Sequence, residues 1–405
     1  MTGRGRVLEN HSLLVRDGRI LDILPSAAAS ERYASVVTLQ RPSHLLMPGM
    51  VNTHTRAATS LFRAVGAAEC VTPGEQRLLG AAFVRDGSLA AIAEMLRSGI
   101  TCFCNRYYFP EETARAAAEQ GMRAVIGMPV DEHTTCGLNL RDEYRGHPLI
   151  STVFAPDGPN GMSDQALARI ATLADELDAG IVIDLHESAA AIEESVARFG
   201  LRPIERLWKL GLLTPALNAV HMTHAGPADI EMARRTGISI SLCPESSLEL
   251  ASGIAGAASM LASGMRVGLG SGGGARQNHD IWGAMKLLAL MTAHAARDGA
   301  ANAGAWDVLA AATCGGARAL AQDSDVGTLE ANKWADLCCA DLGGPATQPL
   351  RDPVRQLVFL GSRDMVSDVW VAGRQLVSEG EMTRLDWPAV AARADAWAAR
   401  LQVGR

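Results

Sequence analysis

Three short stretches of this chain crowd together side chains that could do chemistry: Asn52-Thr53-His54-Thr55-Arg56, Asp184-Leu185-His186-Glu187-Ser188 and Val220-His221-Met222-Thr223-His224. Each closes a run of apolar residues. So do Cys104-Asn105-Arg106, Ala155-Pro156-Asp157 and the glycine-rich Gly270-Ser271-Gly272-Gly273. Asp184, Glu187 and His221 can each take up and return a proton, which suits acid–base catalysis without a metal, as in a lyase or isomerase. Arg56 is different. Its guanidinium stays protonated and cannot ligate a metal, but beside Asp184 and Glu187 it can fill a cation's place. Such a gathering of polar groups marks a pocket, or a set of buried groups that satisfy one another.

The elements that would position these residues alternate along the chain. Apolar runs at Leu45–Asn52, Gly99–Cys104, Arg123–Val130, Ile150–Pro156, Gly180–His186, Asn218–Met222, Ile238–Pro244 and Val267–Gly270 predict eight strands. They are continuously apolar rather than alternating, as parallel strands covered on both faces should be. Helical patterns fill the gaps: Ser163 caps a run through Leu177, and Ser188 caps another, with Ile192, Val196 and Phe199 on one stripe and Gly200 closing it. The predicted fold is α/β, a (β/α)8 TIM-like barrel. No glycine-rich phosphate loop follows the first strand, which counts against a doubly wound sheet. In such a barrel chemistry sits at the C-terminal strand ends, where the clusters above fall. The two ends of the chain read as β. Asp17-Gly18 joins Ser12–Arg16 to Arg19–Leu24, and Ala372-Gly373 joins Val366–Val371 to Arg374–Ser378. Residues 1–47 and 345–385 are expected to form one small β-sandwich, 48–344 the barrel, and 386–405 a C-terminal helix.

Composition narrows the function classes. The chain has 405 residues, 48% hydrophobic and 20% charged, enough for a large core. A net charge of −7 without any basic run argues against nucleic acid as a partner. Neither a signal peptide nor a membrane span is legible, so a cytoplasmic protein is expected. The eight cysteines include no C-x-x-C pair; Cys102, Cys243 and Cys338 lie in apolar runs, and Cys104 and Cys136 lack a neighbouring His, so all read as inert reduced thiols. Aromatic residues are only 4% of the chain, with Tyr107, Tyr108 and Trp282 nearest the strand ends.

The segments MPGMVNTHTRAATSLFRA, SGITCF, RGHPLI, DLHESAAAIEES, AVHMTH, CPESSLELASG and GTLEANKWADL resemble the 5′-methylthioadenosine/S-adenosylhomocysteine deaminases and related triazine hydrolases of the amidohydrolase superfamily. The resemblance runs from the first hairpin to the last and implies a barrel with a composite β-sandwich. It also implies one divalent metal, held by His-x-His after the first strand, by the His that opens a His-x-x-Glu motif after the fifth, by a His after the sixth and by an Asp after the eighth. Against that pattern His54, Glu187 and His221 match. Arg56 stands where the second His belongs, Asp184 replaces the fifth-strand His, and Gly272 replaces the Asp. Asp157 and Leu242 stand where a His is usual, and the stretches after Arg63 and Val130 are short for a substrate lid. The amino end is short by about one sandwich strand.

The pocket is therefore expected from His54, Arg56, Asp157, Asp184, Glu187, His221 and Gly272, with Arg56 hydrogen-bonded to Asp184 or Glu187. No cofactor is expected. His54 and His221 are remnant ligand positions to which Asp184 could be added, and the alternative is one zinc or iron on those three residues. The leading functional expectation is a homologue without metal-dependent C–N hydrolysis, a pseudoenzyme that binds a small molecule or supports a catalytic paralogue, and that forms homo-oligomers. One alternative is a divergent deaminase or hydrolase of a cyclic amidine or purine-like substrate, with Glu187 as base. The other is the metal-free acid–base enzyme. His186 and His224 read as satisfied residues outside the pocket, and His279 as a solvated loop residue.

Overall fold

Eight apolar runs do become a parallel barrel. In the computed structural model, which describes residues 5–65, 78–130, 137–273, 278–296 and 303–403, the strands are β1 (His11–Arg16), β2 (Arg19–Pro25), β3 (His44–Pro48), β4 (Met50–Thr55), β5 (Ile100–Asn105), β6 (Arg123–Val130), β7 (Ile150–Pro156), β8 (Ile181–Leu185), β9 (Leu217–His221), β10 (Ser239–Leu242), β11 (Arg266–Leu269), β12 (Leu337–Asp341), β13 (Val366–Val371), β14 (Arg374–Ser378) and β15 (Glu381–Met382). Strands β4 to β11 close in chain order, with β11 returning to β4. Val51, Cys102, Cys104, Val125, Val153, Val182 and Val220 pack together as one cluster drawn from successive strands. Alternation then decides what lies above it. Cys104 and Arg106, and likewise Val182 and Asp184, are two residues apart and share a strand face, so charged groups stand over an apolar floor.

The helices between the strands form where their caps predict. Ser163 accepts from the Ala166 amide and Ser188 from the Ala191 amide, satisfying donors that a helix start leaves free. Gly200 ends the second helix at φ +70°, a left-handed conformation that glycine adopts without strain. Val196, expected on the buried stripe, is exposed, whereas Ile192 is buried. The C-terminal helix Trp387–Val403 lies on Ala81–Arg97, with the Trp397 indole donating to Asp86 at 2.9 Å.

Two expectations about the ends change. Leu45–Asn52, read as one strand, is two: β3 joins a five-stranded sheet with β12, β13, β14 and β15, and only from Met50 does the chain enter the barrel. The break falls at Gly49, where a Cβ would stand 2.1 Å from the Thr101 side chain, so only glycine lets the chain cross there. The carboxy-terminal contribution starts earlier than 345, because Leu337–Asp341 pairs antiparallel with both β3 and β13. Its Leu-Cys-Cys-Ala run is buried. Hairpin β1–β2 forms its own sheet and packs Leu13, Ile20 and Ile23 against Leu46, Leu337 and Trp370. The described residues hold no helix long and apolar enough to cross a membrane.

One buried ion pair ties the terminal sheet to the barrel. Arg123, at the start of β6, donates through Nε and Nη2 to both oxygens of Asp336 at 2.8 and 3.0 Å, and both side chains are almost wholly buried. Asp336 also accepts from the Ala372 amide, and its carbonyl takes the Gly49 amide. Replacing Asp336 by Ala would leave a buried guanidinium without its anion, a loss of about 3–5 kcal/mol. Urea unfolding of Asp336→Ala should show that loss, and a change under 1 kcal/mol would mean the pair carries no such load.

Candidate functional site

Strand geometry brings His54, Asp184 and His221 to one spot at the C-terminal mouth of the barrel. One ligand-capable atom from each lies within 4.8 Å of the others. His54 comes from β4, Asp184 from β8 and His221 from the last position of β9, where its backbone turns to φ +76°. The two imidazoles meet edge to face with ring centres 5.6 Å apart. His221 Nε2 stands 3.7 Å from Asp184 and 3.5 Å from Glu187, which is partly exposed. Gly272 closes the ring, its amide donating to the His54 carbonyl at 3.0 Å. Asp157 does not join. It follows β7 as an exposed residue, with no hydrogen bond or ion pair to the cluster among the described residues.

The arginine that matters most is one that sequence reasoning passed over. Arg106, 7% exposed, donates through Nη1 directly to Asp184 Oδ1 and through Nη2 to the Pro156 carbonyl at 2.9 Å. Arg56, expected within hydrogen-bonding reach of Asp184 or Glu187, is only in ion-pair range: Nη2 lies 3.9 Å from Asp184 Oδ2, and 45% of its side chain is exposed. The reason is position. Arg106 follows Cys104 on the same face of β5, over the apolar floor, whereas the Arg56 side chain lies along Gly273 of the loop after β11. A charged residue closing the apolar run Ile-Thr-Cys-Phe-Cys-Asn was the available sign of Arg106.

Burial alone would raise the Asp184 carboxyl, but Arg106 foremost, then His221, His54 and Arg56, outweigh it and hold it well below the usual carboxylate range. It is therefore an anion at any physiological pH. Burial drives the His54 imidazole well below its ordinary value, so that ring is neutral, and its Nδ1 is buried without a hydrogen-bond partner among the described residues. A neutral imidazole with a free nitrogen, a second imidazole and a carboxylate are the donor types a zinc or iron ion takes. Charge opposes the fit. Asp184 is already neutralised by Arg106, and a unit charge 4 Å from a guanidinium costs about 4 kcal/mol at an effective dielectric near 20, twice that for a divalent ion. Arg106 in direct contact and Arg56 at 3.9 Å give Asp184 protein cations that a metal there would have to displace or repel.

His186, His224 and His279 lie outside the cluster. His186 Nε2 accepts from the Ile204 amide at 3.2 Å, and its Nδ1 stands 3.6 Å from Asp229, which Arg202 grips. His224 bonds the Ser252 carbonyl. His279, expected in solvent, is 2% exposed and shares a 2.9 Å hydrogen bond with Thr55. Asp280 causes this: its Oδ1 accepts from the Trp282 and Gly283 amides at the start of the next helix, which turns His279 inward. Trp282 is buried and donates to the Ser98 carbonyl, while Tyr108 is exposed. Among the described cysteines all six are free, and burial pushes Cys104 up to about 12. Cys136 and most of the short stretches after Arg63 and Val130 lie outside the described residues.

Burial, opposed by Glu94 and Asp229 respectively, lowers His279 and His186 from 6.5 to about 4. Between those values the unfolded chain binds more protons than the folded one, so stability is full above pH 6.5 and falls as pH drops toward 4. Each ring contributes a slope of up to about 1.4 kcal/mol per pH unit. His279→Asn keeps a group able to meet Thr55 but does not titrate. Urea midpoints across this window should fall less steeply for the variant, and an identical slope would show that His279 is not neutral in the fold.

The fold and the site can be set beside known proteins. Residues 45–376 match the model of the Amidohydrolase family. The chain is 39% identical to a 5-methylthioadenosine/S-adenosylhomocysteine deaminase of Teredinibacter turnerae, over 99% of this chain and 95% of that protein. It is 36% identical to the deaminase of the same name from Saccharophagus degradans, over 99% and 94%. An adenosine deaminase from Xanthomonas campestris, crystallised with bound zinc, superposes with a TM-score of 0.94 at 36% identity over 98% of this chain and 95% of that one. A zinc-complexed atrazine chlorohydrolase from Arthrobacter aurescens shares the fold, with a TM-score of 0.89 at 21% identity over 98% and 97%. By sequence and by fold, this chain belongs to the amidohydrolase family.

Proposed function

We propose that this chain is a metal-independent member of its family, a small-molecule-binding homologue that does not carry out metal-dependent C–N hydrolysis. One observation carries the reading: Arg106, buried, donates directly into the Asp184 carboxylate at the centre of the site. Two features beside it support an internal cation. Arg56 adds a second positive charge, and Gly272 supplies no carboxylate to offset an added divalent ion.

A second reading is favoured by the His54–Asp184–His221 spacing and by relatives named as deaminases. In it those three residues hold one zinc or iron ion, which would supply an activated water, and Glu187 moves the proton during deamination of a purine-like substrate. Asp184 would first have to be released by Arg106.

Elemental analysis of protein purified without chelators separates the two. We expect well under one equivalent of zinc, iron or manganese and no absorbance change with adenosine or 5′-methylthioadenosine. Arg56→His with Gly272→Asp should raise zinc occupancy little while Arg106 holds Asp184. Adding Arg106→Met should raise it by more than the separate changes combined, because ligands act as a unit. Without metal, Arg106→Met should lower stability by about 3–5 kcal/mol, and zinc should restore part of it in the triple variant. Stoichiometric metal in the unaltered protein would overturn the proposal in favour of the second reading.

A further inference from the structure

Arg56 is a cation without an anion of its own. Asp184, its nearest carboxylate, already receives Arg106 in direct contact, and Arg56 reaches it only at 3.9 Å. The Arg56 side chain is nonetheless held in place. Its Cβ, Cγ and Cδ lie against Gly273, where an added Cβ would stand 2.9, 2.6 and 2.5 Å from them. These are atoms at the root of the side chain, so any larger residue at 273 would displace the arginine. The glycine pair at 272 and 273 is thus more than a lost carboxylate. Gly273 is the bed on which Arg56 lies, with its head 3.9 Å from Asp184.

Two further buried polar groups lack partners among the described residues. The Tyr107 hydroxyl is a buried atom without a hydrogen-bond partner, and the phenol is close enough to Arg56 to feel its charge. His54 Nδ1, in a ring 1% exposed, is likewise unpartnered. Buried hydrogen-bonding groups are almost always paired, so a half-exposed guanidinium with an unpartnered phenol hydroxyl in range of its charge points to an acceptor that would meet both. A guanidinium fork suits the paired oxygens of a carboxylate or phosphate, and charge-assisted bonds of this kind are the strong ones.

We propose that Arg56, bedded on Gly273 and supported by Tyr107, is the recognition point for an oxyanion, the carboxylate or phosphate of a small organic ligand. This rests on the metal-free reading above, since a metal at His54 and His221 would itself attract the anion.

The test uses thermal shift and calorimetric titration of the full chain with sodium acetate and with sodium phosphate, against sodium chloride at equal ionic strength. Acetate alone, phosphate alone or both should stabilise the protein saturably, which also tells the carboxylate source from the phosphate source. Arg56→Gln should weaken binding roughly tenfold or more, and Tyr107→Phe by roughly threefold, the loss of one hydrogen bond. Gly273→Ala should behave like Arg56→Gln by dislodging the arginine. Arg351→Gln, which removes an exposed charge elsewhere, should bind as the unaltered protein does. Treatment with EDTA should change nothing. An anion response equal in Arg56→Gln and the unaltered protein overturns the proposal, as does failure of both anions to bind protein shown to be metal-free, an outcome that leaves the metal-free reading standing. A response abolished by EDTA would assign the anion to a metal and overturn both.

Discussion

A buried guanidinium–carboxylate contact organises the mouth of this barrel. Asp184 could not stay ionised at the centre of a closed ring of strands without a cation, because desolvating a lone carboxylate costs more than the fold can return. Arg106 meets that need from the end of β5, three strands away, and donates its second amino group to the Pro156 carbonyl. The contact then sets the electrostatics of everything around it. His54 is kept neutral by burial and by nearby positive charge, His221 sits between Asp184 and Glu187, and Arg56 is left as surplus charge facing outward.

The steric side of the site is coupled to this charge balance. An arginine after β4 needs room across the last barrel loop, and Gly273 provides it with no side chain to push Arg56 away. Gly272 can take φ +76° while its amide closes onto the His54 carbonyl. Arginine at 56 and glycine at 272 and 273 therefore act as one arrangement. Changing either end alone leaves a clash or an unfilled, charged gap, which is why single substitutions toward a metal site are expected to accomplish little.

The framework beneath the mouth is conventional for a barrel and indifferent to these exchanges. The floor of Val51, Cys104, Val125, Val153, Val182 and Val220 is apolar throughout, and the Arg123–Asp336 pair fastens the terminal sheet at the opposite, N-terminal end of β6. Chemistry at one end and stability at the other are thus carried by different residues, as parallel barrels generally arrange them. The site can change its charge pattern without disturbing the strands that hold it.

Much of this was determined by sequence alone, because it is local or periodic. Continuous apolar runs spell buried parallel strands, Ser163 and Ser188 spell helix starts, and the strand ends spell the place where His54, Asp184, Glu187 and His221 converge. Tertiary structure decided the rest. That Leu45–Asn52 divides at Gly49 depends on Thr101, a residue in another strand. That His279 is buried depends on Asp280 capping the following helix and on Thr55 at the end of the neighbouring strand. Which arginine meets Asp184 depends on how β5 and β8 register through the strands between them, a relation between residues 78 positions apart. Linear spacing encodes which face of a strand a side chain takes, but the distance between two such faces is set only when the barrel closes, and an ion pair is decided by that distance.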